Sequence, residues 1–153
     1  MTRGIDDSRV EMTDLVMPHE INPLGSVFGG WVMALMDKAA AMVATRHCRG
    51  PVATASVDSI DFLAPMSLGD IVRVSASLVQ VFTSSMEIGV EVRAEHPRTG
   101  EQTLTCAACF TMVALGPKGE PVAAPRLRLD SDAEKMAAGF AAERRRLRLA
   151  RRR

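Results

Sequence analysis

The sequence predicts a single α+β domain, and three observations lead there. One helical run, Trp31 to Val43, is apolar on every side. Four strand-like runs separated by turn residues follow between Val52 and Leu115. A helix that is apolar all round belongs in an interior, and loops alone cannot cover it, so an antiparallel sheet curling round it is the arrangement expected. A chain of 153 residues is long enough for one sizeable core. The expected organisation is a core domain over residues 1–125 and an arginine-rich C-terminal helix or tail over 126–153.

Val10 to Val16 reads as a short strand reaching Pro18. Asn22, Pro23 and Gly25 mark a turn, and Gly29 and Gly30 precede the helix. Ala, Leu and Met dominate the helical run and no Pro interrupts it. Two charges lie inside it. Lys38 can bury its stem and extend its amine to water. Asp37 is too short for that, and a buried carboxylate without a partner is costly. It is therefore a candidate functional residue, set against a place on a thin polar edge or a structural hydrogen-bonding role. Arg49-Gly50-Pro51 ends the helix.

Val52 to Phe62 is rich in β-branched and small residues. Ala64-Pro65-Met66 breaks it, and Leu68-Gly69-Asp70 turns the chain. Ile71 to Phe82 places Val72, Val74, Ala76 and Leu78 on one face. From Met86 to Ala94 apolar residues alternate with Glu87, Gly89, Glu91 and Arg93, as in a half-buried antiparallel strand. Pro97 to Gly100 is a reversing turn. Thr103 to Leu115 alternates again, with Leu104, Cys106, Ala108, Phe110 and Met112 inward. Gly116 to Gly119 closes the sheet, and Pro121 to Pro125 forms an extended linker. Asp130 or Ser131 caps a last helix, acidic early and basic late as the helix dipole prefers, with Met136, Phe140 and Leu147 near one face.

Composition excludes several classes. No run is long and apolar enough to span a bilayer, and the N-terminus has no apolar signal region, so the default location is cytosolic. Three cysteines make no disulfide framework. Cys106 and Cys109 form a C-x-x-C, but on a strand they point to opposite faces, so neither a redox motif nor a zinc site is expected. His19 and His96 are isolated, and His47 beside Cys48 gives no metal-ligand spacing. No cofactor is expected. Seven arginines occupy the last ten residues; removing their charge from a net +1 leaves −6 for the rest. A solvated helix end, or contact with the acidic body, is the simpler reading of this tail. No aromatic residue interleaves with the arginines to stack on bases, so nucleic acid is not an expected partner.

The helix start carries the chemistry. Free amides at a helix N-terminus can polarise a carbonyl oxygen or hold an oxyanion, and Gly29 and Gly30 let a ligand approach closely. Asp37, two turns on, is a candidate base. Seven residues at about 1.5 Å each separate Gly30 from Asp37 by roughly 10 Å. If both serve one reaction, a second helix supplies one of them, which places the site between subunits.

The run N-P-L-G-S-V-F-G-G-W-V-M-A-L-M-D, Asn22 to Asp37, resembles the hotdog-fold acyl-CoA thioesterases, in particular the short bacterial cytosolic acyl-CoA hydrolases. Val52-Ala53-Thr54, Phe62-Leu63-Ala64-Pro65 with Gly69-Asp70, Thr83-Ser84-Ser85-Met86 and Phe110 to Leu115 follow in the same order. The resemblance covers roughly residues 8 to 125, and the arginine-rich tail lies outside it. It implies a helix wrapped by a curved antiparallel sheet, subunits paired through their sheets, often as trimers of dimers, and hydrolysis of acyl-CoA to free acid and CoA. It places catalytic roles on Asn22 and Asp37 and a carbonyl-polarising amide at Gly29 or Gly30. In this picture Phe28, Phe62 and Met86 line an acyl or pantetheine channel beside Gly29, and Ser84 and Ser85 bind the CoA arm. Asp58 and Asp61 lie near the interface, with Asp58 counted among the substrate contacts. Arg73, Arg93, Arg126 and Arg128 are candidates for the CoA phosphates. Two alternatives stand beside this reading. A hotdog hydratase or dehydratase typically uses a His that this helix lacks. A non-catalytic acyl-CoA sensor would use the same groove and tolerate loss of Asp37.

Overall fold

The computed structural model describes residues 1–152. Its main body is a five-stranded antiparallel sheet in the order β2-β4-β5-β6-β3, with β2 Val10–Leu15, β3 Val52–Phe62, β4 Ile71–Val81, β5 Ser85–Glu95 and β6 Gln102–Ala114. The alternation in sequence becomes registered pairing. Leu78 lies opposite Ile88, which lies opposite Phe110; Ala76, Val90 and Ala108 make the next rung, and Val74, Val92 and Cys106 the one after. These residues form the inner face, and helix α1, Gly29–Cys48, lies across it with Val32, Leu35, Met36, Ala39, Ala40, Val43 and Ala44 buried. Arg49 ends the helix in the left-handed conformation, its N–H donating to Thr45 O at 2.8 Å.

The helix is not enclosed on all sides, contrary to the expectation from its composition. Met33 is 40% exposed, and Ala34, Asp37 and Lys38 are open beside it. Five strands cover one side of a helix, and β3, the sheet edge beyond β6, is itself largely exposed. An apolar-all-round helix thus has one face covered within the chain and one left over.

Two elements bind the termini to this body. Strand β1, Thr2–Gly4, pairs in parallel with β7, Arg126–Arg128. Both are three residues long, too short for a period to show. Helix α2, Asp132–Arg151, opens with a capping box: the Glu134 N–H donates to Ser131 Oγ and the Ser131 N–H to Glu134 Oε2, both at 3.1 Å. The arginine-rich segment does form a helix, and it docks on the outer face of the sheet. Ala138 and Ala141 are buried there. Glu87, on the outer face of β5, is 1% exposed and receives Arg144 through Nη2 at 2.6 Å and Nε at 3.1 Å. Arg148 donates to Asp58 Oδ2 at 2.8 Å, and the Arg145 guanidinium sits 4.8 Å from the Phe82 ring centroid. The acidic body and the basic tail answer each other directly. Replacing Arg144 by Ala leaves the Glu87 carboxylate buried and unpaired. Allowing for the partly exposed guanidinium, the expected loss is about 3 kcal/mol of unfolding free energy in urea titration.

His47 fastens the linker to the far end of α1. Its ring is fully buried, and Nε2 lies 2.6 Å from Pro125 O, a contact that requires the proton on Nε2. Nδ1 has no partner among the described residues. Burial holds the His47 pKa below its ordinary 6.5; the Pro125 carbonyl opposes this, Arg3 adds to it, and Asp7 opposes it. The unfolded chain therefore takes up this proton first as pH falls, so the contribution of neutral His47 is complete above about 6.5 and is lost below it. In His47→Gln an N–H donor remains and titration does not. Unfolding midpoints measured from about pH 8 to about pH 5 should fall less steeply for this variant than for wild type.

Candidate active site

The approach to α1 is a tight loop closed by the Ile21–Val27 bridge. Asn22 organises it. The Leu24 and Ser26 N–H groups donate to Asn22 Oδ1 at 2.8 and 3.2 Å, and Nδ2 donates to Ser26 Oγ at 3.1 Å. Gly25, at φ 84°, occupies the left-handed position this turn requires. Asn22 thus spends its oxygen on the loop and keeps one amide hydrogen without an acceptor among the described residues.

The loop delivers Phe28 as the N-cap residue, extended, with no side-chain oxygen to cap the helix. Phe28 O accepts from the Trp31 N–H at 3.1 Å, and the Phe28 N–H donates to Glu20 O at 2.9 Å. The Gly29 and Gly30 N–H groups have no acceptor among the described residues. A Cβ on Gly29 would come within 3.1 Å of Phe62 Cζ, so the close ring contact favours glycine there; a Cβ on Gly30 would meet nothing within 4 Å. The helix therefore presents two open amides in a positive end field.

Two turns further on, Asp37 lies on the uncovered face of α1. It is exposed within the chain, not buried as its apolar neighbourhood suggested, because the sheet covers the opposite side. Its Oδ1 accepts from Thr54 Oγ1 at 2.6 Å. Thr54 comes from the edge strand β3 and also touches Met112 Sδ at 3.3 Å. Sequence reasoning did not single out Thr54. The Val52-Ala53-Thr54 run carried part of the family resemblance, but nothing local shows which of its residues reaches across to α1.

The remaining candidates divide. Phe62 and Phe28 are both half exposed near the helix start. Phe62 borders a cavity of about 400 Å³ that Gly29 also lines. Met86 is fully buried with Sδ 4.0 Å from Cys48 Sγ, at the opposite end of α1. Ser84 lies in the adjoining turn and Ser85 begins β5; Ser84 O accepts from the Ala114 N–H and Ser85 O from the Phe82 N–H, both at 2.8 Å. Asp58 faces α2 rather than the start of α1. A bulge in β3 with Ser59 at φ 54° interrupts the ladder beside it, and its carboxylate is taken by Arg148 at 2.8 Å and Arg151 at 3.4 Å. The structure therefore joins Asn22, Phe28, Gly29, Gly30 and Phe62 at one end of α1 and Asp37 with Thr54 mid-helix. It leaves Ser84, Ser85 and Met86 at the other end and Asp58 on the outer face.

The family model of the thioesterase superfamily matches residues 24–101, from the loop before α1 to the turn between β5 and β6. The chain belongs to the thioesterase superfamily. Among thioesterase relatives, the acyl-CoA thioester hydrolase YkhA of Bacillus subtilis is 40% identical over 143 residues, 94% of this chain and 83% of the relative. An acyl-CoA hydrolase from Staphylococcus aureus, solved in complex with butyryl coenzyme A, coenzyme A and coenzyme A disulfide, superposes with a TM-score of 0.91 at 34% identity, covering 99% of this chain and 93% of that one. The same hydrolase has been solved with an aspartate, an asparagine and a threonine each changed to alanine. An apo-hexameric acyl-CoA thioesterase gives a TM-score of 0.93 at 35% identity, over 98% of this chain and 96% of that one. The helix-on-sheet architecture is thus the hotdog fold of the thioesterases, and the superposition extends through α2.

Proposed function

We propose that this chain hydrolyses acyl-CoA thioesters to the free acid and CoA, in sites shared between two copies of the chain. The observation that carries the reading is the pairing on one helix of two unpartnered amides, at Gly29 and Gly30, with a tethered carboxylate, Asp37. A thioester carbonyl is electrophilic and its thiolate leaves readily, so hydrolysis needs an activated water and a place for the developing negative charge. The Gly30 N–H, in the positive field of the helix start, receives the carbonyl oxygen and holds the oxyanion. The free Nδ2 hydrogen of Asn22 orients that oxygen or the water. Thr54 fixes Asp37 Oδ1 and leaves Oδ2 for the chemistry. Oδ2 either takes a proton from water, whose hydroxide adds to the carbonyl carbon, or adds to that carbon itself to give an anhydride that water then opens. In both routes collapse of the oxyanion expels the CoA thiolate, which takes up a proton. No cofactor enters.

The second copy follows from geometry. Gly30 and Asp37 are separated by about 10 Å along one helix, too far to meet at one carbonyl. The open face of α1 lies beside β3, an eleven-residue edge strand whose outer N–H and C=O groups are unpaired among the described residues. Pairing of two β3 edges would cover both and bring two α1 faces together, so that Asp37 of each serves the amides of the other. A dimer is then the catalytic unit, and a trimer of dimers agrees with the hexameric relative. No helix among the described residues is long and apolar enough to cross a membrane, and a cytosolic location belongs to the same reading.

Thiol release from a panel of acyl-CoAs tests this. Asp37→Asn should lower kcat by about 10²- to 10⁴-fold while CoA binding persists. Asn22→Ala and Asp37→Asn should each be impaired alone and recover activity when co-expressed, since a mixed dimer holds one intact site. Binding without turnover in wild type would make the protein a sensor; no recovery on mixing would place each site within one chain. Thr54→Val should reduce kcat by about tenfold with KM little changed, and Thr54→Ser should restore it.

A further inference from the structure

We infer that Ser26 is a positioning residue of the hydrolase site, whose hydroxyl sets the direction in which Asn22 offers its remaining amide hydrogen. This rests on the hydrolase reading above and adds a residue to it. The side-chain amide of an asparagine is planar, and both Nδ2 hydrogens lie in that plane in fixed directions. Holding the oxygen alone leaves the plane free to swing about it. Holding the oxygen and one hydrogen fixes the plane, and with it the direction of the other hydrogen.

Both holds are in place at Asn22. Oδ1 accepts from the Leu24 N–H at 2.8 Å and from the Ser26 N–H at 3.2 Å, and Nδ2 donates to Ser26 Oγ at 3.1 Å. Two backbone N–H groups face the first atom, which identifies it as the oxygen. Ser26 thus meets both ends of one amide group, through its backbone at the oxygen and through its side chain at the nitrogen.

Ser26 is itself anchored by its backbone. Its carbonyl oxygen accepts from the Asn22 N–H at 2.7 Å, the residue bridges Ser67, and the next N–H along, of Val27, donates to Met66 O at 3.0 Å. Any residue other than proline could make these bonds. Only the hydroxyl is particular to serine, and Asn22 is its one hydrogen-bonding partner among the described residues. The backbone closes the loop, and the hydroxyl is left with a single task. Its placement fits that task. Ser26 and Gly29 line the same cavity of about 400 Å³, while Asn22 does not border it. Ser26 therefore links the Asn22 amide to the space beside the open helix amides. A direction imposed by a backbone-anchored neighbour is set before substrate arrives, as a catalytic hydrogen bond requires.

The test compares Ser26→Thr with Ser26→Val, which nearly match in shape and differ in the hydroxyl, by steady-state thiol release from butyryl-CoA. Ser26→Thr should keep kcat within about twofold of wild type. Ser26→Val should lower kcat by about three- to tenfold with KM little changed, as expected for one neutral hydrogen bond that acts on the reaction and not on binding. Ser26→Ala, which removes the hydroxyl and adds no methyl, gives the same readout if Ser26→Val fails to fold, and thermal melting checks each variant. In an Asn22→Ala background the step from Thr to Val should shrink below about twofold, since no amide is left to direct. Equal kcat for Ser26→Thr and Ser26→Val overturns the assignment. So does a loss confined to KM, or one that follows the melting temperature, because Ser26 then contacts substrate or only folds the loop. A step that persists at full size without Asn22 shows the hydroxyl acting on its own and overturns it as well. If Asn22→Ala turns over too slowly to measure, the comparison of Ser26→Thr with Ser26→Val alone decides. Failure of wild type to turn over any acyl-CoA would remove the hydrolase reading itself, an outcome distinct from all of these.

Discussion

A single helix on a single sheet can hide only part of its circumference, and most of what is particular to this chain follows from that limit. The sheet takes Val32, Met36, Ala39, Ala40 and Val43. Met33, Ala34, Asp37 and Lys38 are left on the open side. Met33 and Ala34 on that side, next to an unpaired strand edge, form a surface suited to being covered. The same surface carries the carboxylate. On the hydrolase reading, covering and catalysis draw on one stretch of helix, and a change that alters either is felt by both.

At the helix start the division of labour is between side chain and backbone. Asn22 uses its side-chain oxygen to shape the loop, and the loop leaves Phe28 at the N-cap, where a residue with a capping oxygen would have satisfied the helix's first amides. The amide at Gly30, the second helical position, stays available because the cap is missing. Helix α2 shows the opposite arrangement: Ser131 and Glu134 satisfy each other's backbone, as suits a helix that only has to dock. Two helices of equal length in one chain thus begin in chemically different ways.

Much of the sheet was legible in the sequence because its alternation is strict. The rungs joining Leu78, Ile88 and Phe110 follow a two-residue period that local reading detects. The helix was legible for the same reason, yet its surroundings were not. The pattern shows that every side of α1 is apolar, but it does not show that one side is to be covered by something other than the chain's own sheet. Asp37 was therefore singled out on an argument from burial that the fold does not bear out within one chain. Thr54 escaped notice because its contact with Asp37 joins residues seventeen apart through a strand edge, and sequence gives no period for that. The pairing of Asp58 with α2 was not foreseen, because it depends on a bulge in β3 that has no local period. The docking of α2 was foreseeable only as a charge imbalance; which arginine meets Glu87 depends on the tertiary path of the linker.

That docking bears on the reactivity of sulfur. Cys109 lies on the outer face under α2, where burial, with Glu87 adding to it, pushes its thiol up to about 11. Burial also raises the thiols of Cys48 and Cys106. The thiolate is the species that attacks disulfides and oxidants, so all three cysteines are held in their unreactive form. On the hydrolase reading, each turnover releases CoA, itself a thiol that forms disulfides. The chain works beside its own thiol product without offering a thiolate to trap it, and its inventory of cysteines is compatible with a redox-active product accumulating within ångströms of the fold.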